Sequence, residues 1–278
     1  MGTSNRMANK EDIKKRILAL RSSILRHQEL YHEKDAPEIS DEAYDSLFRE
    51  LVALEEEFPD LKSPDSPSYR IGGAPRTKFL KVRHEIKQWS YDNVFDFEEL
   101  SAWEERTIRF LKKADILLNP SYVSELKIDG LKVVLTYENG IFVRGATRGD
   151  GEVGEDITDN LKTVKTITLK LKDKISMTLI GEAWIKHSDL IRINKEREKE
   201  GLPLYANTRN LAAGTLRQLD PKIVAGRNIQ VFAYDIEGFS SGNAPASQIK
   251  ELEFLDESGF LVNENHTYAK KLNEVEDF

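Results

Sequence analysis

The 278-residue chain contains no cysteine. That excludes disulfides and thiolate-held zinc. Histidine is scarce as well, and the five present (His27, His32, His84, His187 and His266) show no metal-ligand spacing, so no residues are assigned to a metal. Any metal is expected to be a loosely held Mg²⁺. No apolar run approaches the roughly 20 residues that cross a bilayer, and the opening MGTSNRMANKEDIKK lacks the apolar core of a signal peptide. The expected setting is the cytoplasm, with no membrane partner. Excess positive charge is missing too, since 41 Lys and Arg against 48 Asp and Glu leave a formal charge of -7. Broad attraction to phosphate backbones is therefore disfavoured, and nucleic-acid binding by this chain alone should be weak unless a local basic groove exists.

What is present points to a globular protein of one large or two smaller domains, with 39% hydrophobic and 32% charged residues. Ile13, Ile17, Leu20 and Ile24 recur at helical spacing, and Tyr44, Leu47, Leu51 and Leu54 do so again after Ser40, a natural N-cap. Two helices joined by YHEKDAPEIS form the opening unit. FPDLKSPDSPSYRIGGAP has no periodicity and is rich in Pro, Ser and Gly, as a linker or wrapping loop would be, which puts a domain boundary near residue 72. Beyond it, the Asn-Gly of YENGIF between β-rich runs predicts a tight hairpin. MTLIGEAWI and NIQVFAYDI are predicted as strands, with HSDLIRINKEREKEG between them as a helix. The second unit, residues 73–278, is expected to be α+β with an antiparallel sheet.

Within it, SELKIDG places Lys127 between Glu125 and Asp129. On an extended strand these three would share one face, with Ser124, Leu126 and Ile128 on the other, so that one face is core and the other chemistry. A free lysine has a pKa of about 10.4, and neighbouring carboxylates hold an ammonium's proton more tightly. A nucleophilic lysine here needs a bound cation, a cationic ligand or a proton acceptor to offset them. Taken alone, Lys-x-Asp-Gly proves little, and its simplest reading is a surface strand with an i, i+2 ion pair.

From SELKIDG through TRGDGEVGEDIT the sequence resembles the nucleotidyltransferase signature of the covalent polynucleotide ligases, and specifically the NAD⁺-dependent DNA ligases. The resemblance implies an α+β fold, a small helical module over residues 1–72 followed by an ATP-grasp-like adenylation domain. It implies that Lys127 attacks the adenylyl phosphorus of NAD⁺, releases nicotinamide mononucleotide and keeps AMP, with Asp129 supporting that lysine or an Mg²⁺. Glu125 would face the adenine, Arg148 would lie near the ribose or phosphate, Glu182 would contact the ribose and Tyr234 would pack on the base. Arg209 and Arg217, in a block with Thr208 where the family has proline, become candidates for phosphate or nick contacts. Ser90 carries over from QWSYDNVF, whereas Tyr91 replaces the usual leucine.

LYHEKDAPEISDEAYD resembles the helical module of the same family. That implies a nicotinamide mononucleotide site at Tyr31, His32, Asp41, Glu42, Ala43, Tyr44 and Asp45, in keeping with the affinity of a cationic ring for aromatic faces and carboxylates. The family's later Asp-Gly-x-Val-x-Lys motif is not found, nor are its OB-fold, four-cysteine zinc, helix-hairpin-helix and BRCT parts. The chain therefore reads as a monomeric fragment of an enzyme that seals nicked duplex DNA in replication and repair. The alternative is a fragment that binds NAD⁺ or AMP without completing catalysis. Gly149, Gly151 and Gly154 also satisfy the dinucleotide-binding pattern of an oxidoreductase. They follow a hairpin rather than opening a parallel unit, and Asp150 and Glu152 put negative charge where a pyrophosphate must approach.

Overall fold

The computed structural model describes residues 2–32, 38–71, 76–116, 119–240 and 244–278. Two helices open it, α1 (Gly2–His32) and α2 (Asp41–Glu57). Their predicted stripes meet: Ile17, Leu20 and Ile24 of α1 and Leu51 of α2 are fully buried, with Ile13, Tyr44, Leu47, Phe48 and Leu54 packed around them. Ser40 caps α2, its hydroxyl accepting from the Ala43 N–H at 3.3 Å. Among the described residues no helix is long and apolar enough to cross a membrane.

The Pro, Ser and Gly-rich stretch wraps rather than dangles. Its two short 3₁₀ turns, Pro59–Leu61 and Pro67–Ile71, are held by a buried carboxylate, Glu55, which takes Arg21 at 2.6 Å and the hydroxyls of Ser66 and Ser68. Tyr69 then packs against the core of the second unit, with the Lys62 and Lys162 ammoniums 4.3 and 4.1 Å from its ring centre. Arg70 donates to the carbonyls of Lys162, Val164 and Ile167.

The second unit runs β1 (Lys81–Arg83), α3 (Phe97–Lys113), β2 (Tyr122–Glu125), β3 (Leu131–Glu138), β4 (Ile141–Thr147), β5 (Val153–Glu155), α4 (Thr158–Lys162), β6 (Met177–Ile185), α5 (His187–Lys199), α6 (Thr208–Leu216), α7 (Pro221–Ala225), β7 (Ile229–Phe239), α8 (Gln248–Glu257) and β8 (His266–Ala269). The main sheet is antiparallel in the order β4-β3-β6-β7. Asn139 and Gly140 form the β3–β4 hairpin with φ of 51° and 80°, the left-handed pair that a two-residue turn requires. Strand alternation sorts the faces. Val133, Leu135 and Tyr137, with Leu179, Ala183, Val231 and Ala233, point into the core. Lys132, Val134 and Thr136 on β3 take the opposite parity, as do Glu182 on β6 and Phe232 on β7, and these strands give the site its floor.

One sequence expectation is corrected here. The strand carrying Glu125 ends at that residue, and it belongs to a separate two-stranded sheet in which Glu125 faces His266 of β8. Lys127 and Asp129 lie in the irregular connection that crosses from β2 to β3, and Leu126, expected in the core, is 51% exposed. Period-two alternation fails because the chain changes sheets within the motif. The glycine pattern Gly149, Gly151 and Gly154 leads into β5 and an antiparallel pairing with β1, not into a helix.

Candidate functional site

The crossing between sheets is fixed by Gly130. A Cβ there would run into the Ala183 carbonyl, with its carbon at 2.9 Å and the Glu182 Cγ at 3.1 Å, so the connection lies directly on β6. The Gly130 N–H donates to Glu182 Oε1 at 3.1 Å. Burial pushes the Glu182 carboxyl up, and the Gly130 N–H, Lys127 and Arg209 oppose that rise. Lys127, Asp129 and Arg209 are thereby gathered around a half-buried carboxylate. Arg209 donates to Asp129 at 3.2 Å from the first turn of α6, whose N-cap is Asn207. Thr208 occupies the first helical position, where proline and threonine are both tolerated because that N–H has no partner within the helix.

Across the floor, β7 bulges between Ala233 and Asp235, which leaves Tyr234 as the extra residue and re-aims it. Its phenol is pushed well up by burial and then by Glu182 and Tyr91. Gln248 of α8 donates to Glu125 at 2.9 Å and to the Tyr234 carbonyl at 2.7 Å, so one side chain joins two predicted site residues. Burial raises the Glu125 carboxyl, with Gln248 and His266 opposing.

The third wall is the Thr147–Gly151 turn with the segment from Lys81 to Tyr91. His84 Nε2 lies 3.1 Å from the carbonyls of Thr147 and of Arg148, and the Gln88 N–H donates to the Gly151 carbonyl at 2.8 Å. Gly149 and Gly151 have φ of 60° and 100°, conformations that favour glycine. Arg148 donates to the Ser90 hydroxyl at 2.6 Å. Tyr91, 72% exposed, stands beside Asp235, Glu237 and Glu125.

The structure therefore brings together Ser90, Tyr91, Glu125, Lys127, Asp129, Arg148, Glu182, Arg209 and Tyr234. Arg217 stands apart, paired with Glu155 at 3.4 Å. In the helical unit, Glu42, Ala43 and Asp45 are exposed on α2, while Tyr44 is half-buried with its ring 6.0 Å from that of Phe48. The side chains of Tyr31, His32 and Asp41 lie outside the described set. Four residues that the sequence reading left aside join the site: Gln88, Lys132, Glu237 and Gln248. Lys132 had a signal, a charge within the apolar run LKVVL, directly opposite Glu182. Among the described residues no group of three or more His, Asp or Glu is arranged to hold a metal ion.

The fold thus sets an amine on a crossing loop, a half-buried carboxylate, aromatic side chains and an arginine at a glycine turn around one face of the main sheet. Residues 76–278 match the family described as the NAD-dependent DNA ligase adenylation domain, and residues 10–72 match the DNA ligase-like, N-terminal NAD⁺-binding domain. The chain is 48% identical over 265 residues to a DNA ligase of Acetivibrio thermocellus, covering 95% of this chain and 39% of that protein. It is 47% identical over 260 residues to one of Brevibacillus brevis, covering 94% and 38%. A DNA ligase of Carboxydothermus hydrogenoformans is 45% identical over 270 residues, covering 97% and 40%. The chain belongs to the NAD-dependent DNA ligases and spans about 39% of the length of these relatives.

Proposed function

We propose that the chain performs the self-adenylation step of NAD⁺-dependent DNA ligation, with Lys127 as nucleophile. The neutral Nζ attacks the adenylyl phosphorus. A P–N bond forms, the pyrophosphate P–O bond breaks with its electron pair on the departing nicotinamide mononucleotide, and one amine proton leaves for a carboxylate or water. The observation that carries this reading is the gathering of Lys127, Asp129 and Arg209 around Glu182, on the sheet face that also bears Tyr234.

The residues present fit the nucleotide. Glu182 uses one oxygen on Gly130 and has a second for ribose hydroxyls, Tyr234 and Tyr91 give aromatic surface for a base, and Arg148 and Arg209 give donors for phosphate. Asp129, an exposed hard-oxygen ligand, fits an Mg²⁺ of the kind held by one or two carboxylates and substrate phosphates, where it would neutralise developing phosphoryl charge. Residues 1–72 form the nicotinamide mononucleotide module, with Tyr31, His32 and the Asp41–Asp45 run as its contacts, and residues 73–278 form the adenylation domain. Within the whole protein the adenylyl group passes on to the 5′-phosphate of nicked duplex DNA, and Arg217 serves that later contact. The test is intact-mass measurement after incubation with NAD⁺ and Mg²⁺. One added adenylyl group is expected in the wild type and none in Lys127→Ala, whereas an adduct retained by the variant would overturn the assignment.

A further inference from the structure

The segment from Lys81 to Tyr91 carries two of the proposed nucleotide contacts, yet it contains only three residues of strand. Something other than a sheet must fix its far end. Beyond β1 it is held by His84 and Gln88, and Gln88 is the deeper of the two, only 2% exposed. The Gln88 amide donates through Nε2 to Glu237 Oε2 and to the Ile86 carbonyl at 3.1 Å. Its Oε1 is buried and has no partner among the described residues. That orientation suits a carboxylate acceptor, because the flipped amide would set its oxygen against the Glu237 oxygen. The other oxygen of Glu237 lies 3.9 Å from Lys132 Nζ on β3, with the two side chains 11% and 13% exposed. One carboxylate on β7 thus ties the covering segment to the sheet floor. The same segment reaches the site through the Gln88 carbonyl, which accepts from Arg148 Nε at 3.4 Å, and through Ser90, which accepts from the Arg148 guanidinium.

We infer that Glu237 is a positioning residue that latches the segment, through Gln88, over the nucleotide and so sets the places of Ser90, Tyr91 and Arg148. Lys132, 3.9 Å away, is the countercharge that opposes the rise burial imposes on the Glu237 carboxyl. The consequence for binding rests on the nucleotide reading above, whereas the latch itself does not.

The test uses Glu237→Ala, Glu237→Gln and, from the other side, Gln88→Ala, with two measurements. Hydrogen exchange at the backbone N–H of residue 88, which donates to the Gly151 carbonyl at 2.8 Å, reports the latch without any ligand. It should speed by about tenfold or more in both alanine variants and stay within about threefold in Glu237→Gln, which still accepts from Gln88, while β6 amides are unchanged. Calorimetric titration with AMP should show affinity about tenfold weaker in the alanine variants and near wild type in Glu237→Gln, the scale of one hydrogen bond to a charged group. Titration with nicotinamide mononucleotide should not change. Unaltered exchange in Glu237→Ala would overturn the latch, and faster exchange with undiminished AMP affinity would overturn the positioning role. A wild type that neither binds AMP nor gains an adenylyl group would refute the nucleotide reading separately, with exchange still deciding the latch.

Discussion

Gly130→Ala should separate the candidate nucleophile from its surroundings without touching a polar side chain. The added Cβ meets the Ala183 carbonyl carbon at 2.9 Å and the Glu182 Cγ at 3.1 Å, where unstrained carbon contacts sit at about 3.5–4.0 Å. The Ala183 carbonyl oxygen lies nearer still, so the Lys127–Asp129 connection must lift from β6 by about 1 Å. Overpacking of this kind costs about 1–3 kcal/mol, and the 3.1 Å bond from the Gly130 N–H to Glu182 is strained or lost with it. For a reacting group, a displacement near 1 Å costs on the order of 100-fold in rate. Time-resolved intact-mass measurement with NAD⁺ should show that loss, and urea unfolding should show destabilisation of about 2 kcal/mol. Gly226→Ala is the control. It follows α7 with φ of -75°, and its Cβ would meet nothing nearer than 3.6 Å, so it should leave the rate alone and stabilise by about 0.4–1 kcal/mol. An adenylation rate within about threefold of wild type in Gly130→Ala would refute the claim that the close crossing on β6 positions Lys127.

Arg70→Met removes the donor to three carbonyls, those of Lys162, Val164 and Ile167, and should cost about 3 kcal/mol in urea unfolding; a loss below about 1 kcal/mol would mean that the wrap contributes little. Burial lowers the Arg70 guanidinium to about 10, so this effect should be level through neutral pH. Asp235, in contrast, makes stability depend on pH. Burial raises its carboxyl above the usual range, with Lys132 opposing, so its contribution is fully present below the unfolded value near 3.8 and is lost as pH rises through the folded value. Asp235→Asn should therefore raise the melting temperature at pH 7.5 by roughly 2–4 °C, and the gain should vanish near pH 3.5; an equal gain at both would refute a titration effect. Asp45→Ala, on an exposed face of α2, should weaken nicotinamide mononucleotide about tenfold in calorimetry without altering the melting temperature, and unchanged affinity would remove Asp45 from that site.

Local rules carried much of this protein. The stripes Ile17, Leu20, Ile24 and Leu51, the Ser40 cap, the Asn139-Gly140 turn and the strands of MTLIGEAWI and NIQVFAYDI are each set by residues within a few positions of one another, so spacing alone reveals them. The gathering of the SELKIDG, TRGDG, GEAWI and NTRN segments was legible only through resemblance, since no local rule joins Lys127 to Glu182 or Arg209. Other features were decided by tertiary structure. Alternation placed Leu126 inside because a run of six residues cannot show that the chain leaves one sheet for another after Glu125. The bulge at Tyr234, the wrap around Glu55 and the Gln88–Glu237–Lys132 tie depend on partners 11 to more than 100 positions away in sequence. A buried polar group is tolerated only where the fold supplies its partner, and that condition belongs to the packed molecule rather than to any stretch of its chain.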